Sequence, residues 1–411
     1  MSTSPQKTVL MLGAGTEHQI AIKLAKDLGY RVIAADGSAD APGLALADVG
    51  VVADIKNIDE MVEVGKKYEV DGVMTHAVEI PHIVSRIAKA LGLPGIDPVV
   101  ADRTTFKSQR IDCLKKAGIR VPEFAVTHSV EEGKQAAQKI GYPVVVKPVD
   151  NAGARGVQCV KNDQELETAY AESQTYSHDQ PEILIEQYLD GFEISTEALV
   201  YDGKIVTTGF GDRNYTRSAE FYPYFIEDGH NVPSTLPQET QDKVIEEANK
   251  AIRALGIDWG VAKGDILVHD GEVYILEMAS RTSGGWFCSG TVPRATGVHI
   301  LKSLIKMSVG DPVDEADLTP TKHKAVCQRY VIPTEEGAFV RFDGVEEAAK
   351  MPGVDMFIMF KTPAVGEMIH KATNHAERFG QIITVADTMP EAIAQCEAAT
   401  NTIKIVLEPQ K

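Results

Sequence analysis

The sequence predicts an α/β protein of several domains, opening with a doubly wound parallel sheet and closing with a small α+β unit. Three observations lead there. Strand and helix patterns alternate with short connections over roughly the first hundred residues, the pattern of a parallel sheet covered by helices. A loop of small residues joins two apolar strands near position 150, with a lysine at its lip. Segment 260–285, GVAKGDILVHDGEVYILEMASRTSGG, reads as a β-hairpin whose apolar strands carry one carboxylate each, Asp265 and Glu277.

At 411 residues the chain is too long for one small core. No apolar stretch reaches membrane-spanning length, and residues 1–15 lack the layout of a secretory leader. A net charge of −18 argues against general affinity for nucleic acid or membranes. An anionic ligand must then meet a locally positive pocket. Cys113, Cys159, Cys288, Cys327 and Cys396 form no CxxC pair, so reduced thiols and a cytoplasmic setting are expected, without zinc.

In chain order, strands are expected at 8–12, 31–35 and 72–75, and helices at 17–28, 58–67 and 80–91. GAGTEH after the first strand starts like a dinucleotide fingerprint but has only Gly13 and Gly15, with His18 where a third glycine belongs. A tight strand–helix turn or a loop touching a small substrate is the better reading, and a nicotinamide-dependent oxidoreductase would rest on this motif alone. A helix over 102–117 carries Lys107 and Arg110, and another covers 130–140. A strand at 142–146 then delivers Lys147, and Asn151, Ala152, Gly153, Ala154, Arg155 and Gly156 form a loop before a strand at 157–160. Such a backbone can turn successive N–H groups towards a phosphate chain. It is not a P-loop, because it joins two strands.

A strand at 183–188 ends in Glu186, Gln187 and Tyr188, then Leu189; Glu193 precedes a strand at 194–201. Such a strand end can offer donors and acceptors to an adenine edge, and a following glutamate can take ribose hydroxyls. Residues 207–234 read as a long irregular segment rich in Arg, Tyr and Phe, and loops of that length are usually functional. Within it, Glu227 and His230 are candidates for an amine or acceptor pocket, His230 as a base near its ordinary pKa. Arg213 and Arg217 either recognise a substrate carboxylate or are solvated, the solvated reading leading. A helix at 238–255 precedes the hairpin, and after about 310 come short strands, a helix at 343–351 and a strand–helix–strand at 381–407.

Carboxylates at the rim of a buried hairpin need a cationic partner. Mg²⁺, held by one or two carboxylates together with nucleotide phosphates, fits. With a two-residue loop at Asp270-Gly271, Asp265 pairs with Leu276 and Glu277 points to the other face. A three-residue or bulged loop puts both carboxylates on one face, so metal binding predicts that loop.

Taken in order, Lys107 after Asp102-Arg103, YPVVVKP, DNAGARGV, EQYLDGFE and Asp265-x11-Glu277 followed by Arg281 resemble the ATP-grasp superfamily of carboxylate–amine ligases. FIEDGHNVPS, SRTSGG and RFGQIITVADTMPEAI are most similar to its L-amino-acid ligases and other amide-forming members. The resemblance implies an ATP-grasp fold with a Rossmann-like pre-ATP-grasp domain (1–97), a grasp unit (98–310) with a lid at about 121–189, and an α+β domain (311–411). It also implies roles. Lys107 and Lys147 contact ATP phosphates, loop 151–156 closes over them, Glu186, Gln187 and Leu189 hold adenine, and Glu193 holds ribose. Asp265 and Glu277 carry Mg²⁺ (or Mn²⁺), Arg281 neutralises the acyl phosphate or a substrate carboxylate, and Ser283, Gly284 and Gly285 border the substrate. The implied partners are a small carboxylate and an amine, and the implied assembly is a homodimer.

One position departs from that pattern. The family reads Glu-x-Asn at the second metal position, and here Ala279 stands for the amide. Either a metal is held by fewer oxygens, or Ser280 or Ser283 supplies one, or the chain binds nucleotide without catalysis. A purine-pathway carboxylase-type enzyme using bicarbonate or formate is the alternative among ligases.

Overall fold

The computed structural model describes residues 6–177 and 181–408. Parts of the leader, lid and C-terminal readings fall on 1–5, 178–180 and 409–411, outside the described residues. Thr8–Leu12, Arg31–Asp36, Val49–Val52 and Gly72–Thr75 form a parallel sheet in the order third, second, first, fourth, so the first strand is central. It is apolar from Val9 to Leu12 and wholly buried, because helices cover both faces. The turn after it is not a dinucleotide cradle: a β-carbon on Gly13 would lie 2.8 Å from His18 Nε2, so the His18 ring fills the space a pyrophosphate would need.

A second sheet is four-stranded and antiparallel, Phe124–Thr127, Ile183–Gln187, Val144–Pro148 and Gln158–Val160 in spatial order. Two helices, Val130–Ile140 and Asp163–Thr175, back it, each started by a side-chain cap on Ser129 or Asn162. The largest sheet has eight strands and carries both halves of the remaining chain. Its order runs Glu272–Ala279, Gly260–His269, Phe192–Tyr201, Lys204–Asn214, Gly229–Val232, Ala325–Val331, Gly380–Ala386 and Val354–Met359. The expected boundary near 310 therefore does not interrupt the hydrogen-bond ladder: Asn231 pairs with Cys327 across it. The C-terminal strands continue the grasp sheet, and only Gly337–Asp343, Met368–Ile369 and Lys404–Glu408 form a small sheet of their own.

Three elements differ from expectation. The helix over 102–117 is two, Pro98–Thr105 and Lys107–Lys116, broken where Phe106 adopts extended backbone. The segment 207–234 is largely regular: Lys204–Asn214 is a central strand, followed by the short helix Ser218–Phe221 and Gly229–Val232. Lys147 lies within its strand rather than beyond it. Among the described residues no helix is long and apolar enough to cross a membrane.

Candidate active site

The hairpin settles the register question in an unexpected way. His269 pairs with Glu272, so the loop is the two-residue one, with Asp270 and Gly271 both left-handed (φ 51° and 78°) as a type I′ turn requires. The expected loop bulge is absent. The register instead slips lower in the ladder, where Ile266 pairs with Ile275 and Asp265 with Glu277, leaving Leu276 as the extra residue. The slip sets the two carboxylates directly opposite each other on one face, the outcome metal binding demanded.

Cations surround this pair. Lys263 Nζ contacts Asp265 and lies 3.2 Å from Glu277 Oε1. Arg213 contacts Asp265, Arg281 Nη2 is 3.4 Å from Glu277 Oε1, and Arg110 Nη2 is 3.9 Å from Glu277 Oε2. Burial alone would raise both carboxyls, but Arg213 and Lys263 hold Asp265 below its ordinary pKa. Lys263, Arg110 and Arg281 hold Glu277 well below. Arg281 also contacts Glu79 from the N-terminal domain.

On the lid side, Lys147 Nζ donates to Glu186 Oε1 at 2.7 Å, both side chains buried. The Lys107 ammonium donates to the Asn151 carbonyl, and burial, opposed by Glu277, brings its pKa down to about 8. In the loop, Gly153 and Ala154 are both left-handed (φ 68° and 59°), which turns the chain sharply over the cleft. The His375 N–H ties the loop to the C-terminal unit by donating to the Gly153 carbonyl at 3.0 Å. The Gln187 N–H is committed to the Glu123 carbonyl at 2.7 Å and so is not free for a ligand. Burial raises Glu193 to about 7, against the opposing charge of Arg213.

Apart from Gly156 and Arg217, the residues given candidate ATP, metal and substrate roles line one cleft of about 720 Å³. Gly156 sits behind the loop, where a β-carbon would meet the Tyr176 ring at 3.0 Å; its role is packing. Arg213 is not solvated. Its side chain is 10% exposed and its fork is held by Glu227 Oε2 at 2.8 Å and by Asp265, while Arg217 takes the surface role, with Glu220 at 2.8 Å. His230 is not poised near its ordinary pKa: burial pushes it down, against the charge of Glu227, and its Nδ1 lies 3.2 Å from both Glu227 Oε1 and Gln328 Oε1. Glu227 is held low by His230, Arg213 and Arg378, which together outweigh its burial. This makes it a structural counter-ion.

Sequence reasoning missed Lys263, Glu197 and Glu17, and gave Arg110 no partner. Glu17 reaches from the first domain to accept the N–H groups of Gly285 (3.1 Å) and Trp286 (2.8 Å), and Glu197 accepts that of Ser283 (2.7 Å). Burial raises both to about 7. The motif GAGTEH held the signal for Glu17, since it put a carboxylate at the strand end where ligands meet such sheets. Trp286 stacks on Phe360, ring centroids 5.0 Å apart, and Arg378 lies 3.8 Å over the Tyr330 ring, so the C-terminal unit walls the far side.

The donors fit a divalent cation, in limited number. Asp265 Oδ1 is buried and has no hydrogen-bond partner among the described residues, so it is a carboxylate oxygen open to bind such an ion. Ala279 offers no oxygen, and Ser280 Oγ is engaged 2.6 Å from Thr104 Oγ1. Among the described residues no group of three or more His, Cys, Asp or Glu gathers around a common point.

Residues 102–316 match the family of the carbamoyl-phosphate synthase L chain, ATP binding domain, and residues 329–408 match L-amino acid ligase C-terminal domain 2. The carbamoyl phosphate synthase large chain of Vibrio cholerae is 25% identical over 75% of this chain, which spans 27% of that relative's length. The formate-dependent phosphoribosylglycinamide formyltransferase of Synechococcus is 27% identical over 96% of this chain and 98% of its own. The crystal structure of the L-amino acid ligase from Bacillus licheniformis superposes with a TM-score of 0.84 and 23% identity, covering 99% of this chain and 100% of that one. At that identity the likeness is one of fold.

Proposed function

This chain belongs to the ATP-grasp carboxylate–amine ligases, and from that premise we propose that it is an ADP-forming ligase joining a small carboxylate, an amino acid, to an amine through an acyl phosphate. One observation carries the reading. A single cleft gathers Lys107, Lys147 and the glycine loop on one side, the opposed Asp265 and Glu277 beneath, and Arg281 with the Ser283–Gly284–Gly285 turn beyond. The amino-acid assignment is supported by the match of residues 329–408 to the L-amino acid ligase C-terminal model and by Tyr330, Phe360 and Arg378 of that region lining the cleft.

The chemistry follows from charge. Carboxylates are inert towards amines at neutral pH because hydroxide leaves poorly. In the proposed reaction the substrate carboxylate attacks the γ-phosphorus of ATP, ADP leaves, and the amine then attacks the acyl carbon and expels phosphate. Phosphoryl transfer asks the protein for positioning and neutralisation. Lys107 and Lys147 with loop 151–156 would hold the phosphates, Glu186, Gln187 and Leu189 the adenine, and Glu193 the ribose. Asp265 and Glu277 would hold Mg²⁺ or Mn²⁺, which supplies added neutralisation of the transferred group when bound. Arg281, which pairs with Glu79 and Glu277, would meet the acyl phosphate with its planar fork. Arg213 and Glu227 would support the carboxylate pair from behind, and the buried His230 would line the acceptor side. The lid at about 121–189 would exclude water from the acyl phosphate, set between a domain at 1–97, the rest of the grasp unit to 310 and the C-terminal unit. A homodimer is the proposed assembly.

The test is ADP and phosphate release with Mg²⁺-ATP across paired amino acids and small carboxylates. Release that requires a pair supports the reading. A second reading, a one-carbon enzyme using bicarbonate or formate, is favoured by the near full-length match to the formyltransferase, and release with either of those carbon sources alone would select it. ATP binding with no release under any condition would select a non-catalytic binder.

A further inference from the structure

The face that carries Asp265 and Glu277 carries two more residues. Strand side chains alternate, so Lys263 shares a face with Asp265 and Ala279 with Glu277, and the ladder pairs Lys263 with Ala279 and Asp265 with Glu277. The result is a two-by-two patch in which a small, fully buried alanine lies across from a lysine. An oxygen-bearing side chain at Ala279 would occupy the space above the pair. Its absence leaves room for the Lys263 side chain, only 10% exposed, to turn inward instead of running to solvent. Its ammonium reaches both carboxylates, contacting Asp265 and lying 3.2 Å from Glu277 Oε1.

We propose that the Lys263 ammonium is a resident cation standing where a second divalent ion would otherwise be held, so that this site takes one divalent cation with ATP. The inference rests on the ATP-dependent ligase reading. A buried ammonium is retained only where carboxylates compensate it. Of the other cations near the pair, Arg213 also serves Glu227, Arg281 also serves Glu79, and Arg110 stands off at 3.9 Å from Glu277 Oε2. Lys263 makes its ion pairs, among the described residues, with Asp265 and Glu277 alone. Arg213, Arg281 and Arg110 add positive charge around the pair, and counted alone, Lys263 and the two carboxylates carry a single net negative charge. One divalent ion reverses that to a single positive charge facing the phosphates; two would crowd three positive charges onto one small face, with the ammonium unable to leave. The supply of oxygen agrees: Asp265 Oδ1 is the buried carboxylate oxygen of the pair without a partner among the described residues, and Ala279 contributes none.

Counting Mn²⁺ by electron paramagnetic resonance, with the full chain saturated by a non-hydrolysable ATP analogue, tests this without a variant. One Mn²⁺ per bound nucleotide is expected, and two would overturn the inference while leaving the ligase reading intact. The double variant Lys263→Met/Ala279→Asn, checked for a native melting profile, is expected to rise from one Mn²⁺ to two. If it stays at one, Lys263 is not what excludes the second ion, and the assignment fails. If the chain binds no nucleotide at all, the ligase reading fails first and carries this inference with it.

Discussion

Removing Lys147 tests the phosphate-binding wall of the cleft, and the structure requires that it be done in two steps. The Lys147 side chain is 13% exposed and that of Glu186 5%, with 2.7 Å between the charged atoms. Lys147→Met alone therefore strands a buried carboxylate. Breaking a buried pair from one side costs about 3–5 kcal/mol, which falls on the lid sheet where Val145 pairs with Glu186. Lost turnover in that variant would not separate chemistry from a loosened lid. Lys147→Met/Glu186→Gln removes both charges and keeps the shape of both side chains, so it should recover most of that loss. It should not recover the nucleotide. A charge-assisted hydrogen bond to phosphate contributes about 1.5–3 kcal/mol, or roughly 10- to 150-fold in Kd. Thermal denaturation reads the first quantity and calorimetric binding of a non-hydrolysable ATP analogue the second, and the two single variants close the cycle. A double variant that regains stability and also binds the analogue within about twofold of the parent would refute the phosphate role of Lys147.

Three further outcomes are expected. Because the Lys107 ammonium titrates at about 8, a phosphate brought beside it should favour the charged form, so analogue binding at pH 8 should take up about half a proton; enthalpies identical across buffers of different ionisation heat would remove Lys107 from the phosphate site. Glu193 and Glu197 titrate at about 7 when folded, above their ordinary 4.5, so the stability they lend is complete below 4.5 and lost as pH rises through 7. Glu227 and Glu277 run the other way, losing theirs as pH falls below the ordinary range. The melting temperature should therefore peak between these limits, and Glu197→Gln should flatten the decline towards pH 8; an unchanged slope contradicts the assignment. Glu17→Ala, which frees the N–H groups of Gly285 and Trp286, should raise KM for one of the two joined substrates on the order of tenfold or more while nucleotide Kd holds within about twofold. Loss of nucleotide binding instead would show that Glu17 serves the whole cleft rather than the substrate turn.

Much of the site was legible because its residues sit at strand ends and in one small-residue loop, where local pattern and local chemistry agree. Lys147, the 151–156 loop, Asp265 and Glu277 were found that way. What escaped is non-local. The bulge at Leu276 leaves no mark, since Val273, Tyr274, Ile275 and Leu276 are apolar on both faces and read the same in either register. Residues 207–214 read as irregular because their Thr, Gly and Asp residues weaken strand propensity; pairing with Phe192–Tyr201 on one side and Gly229–Val232 on the other makes them part of the strand Lys204–Asn214. Arg213 looked solvated because a charged residue in a supposed loop has no visible partner, yet that same strand carries it inward to Glu227 and Asp265. Lys263 was overlooked for a similar reason: two residues before the first carboxylate, its direction depends on what lies across the ladder, and that is Ala279.

The central claim is that a carboxylate is activated by taking the γ-phosphoryl group. The direct test uses the substrate pair that drives ADP release, with the carboxylate oxygens labelled with ¹⁸O, and mass spectrometry of both products. One labelled oxygen in the released phosphate, with a condensed product lighter by one water than the sum of its parts, is the predicted result. Unlabelled phosphate alongside the same condensed product would mean that the carboxylate never carried the phosphoryl group, and the proposed reaction would be wrong.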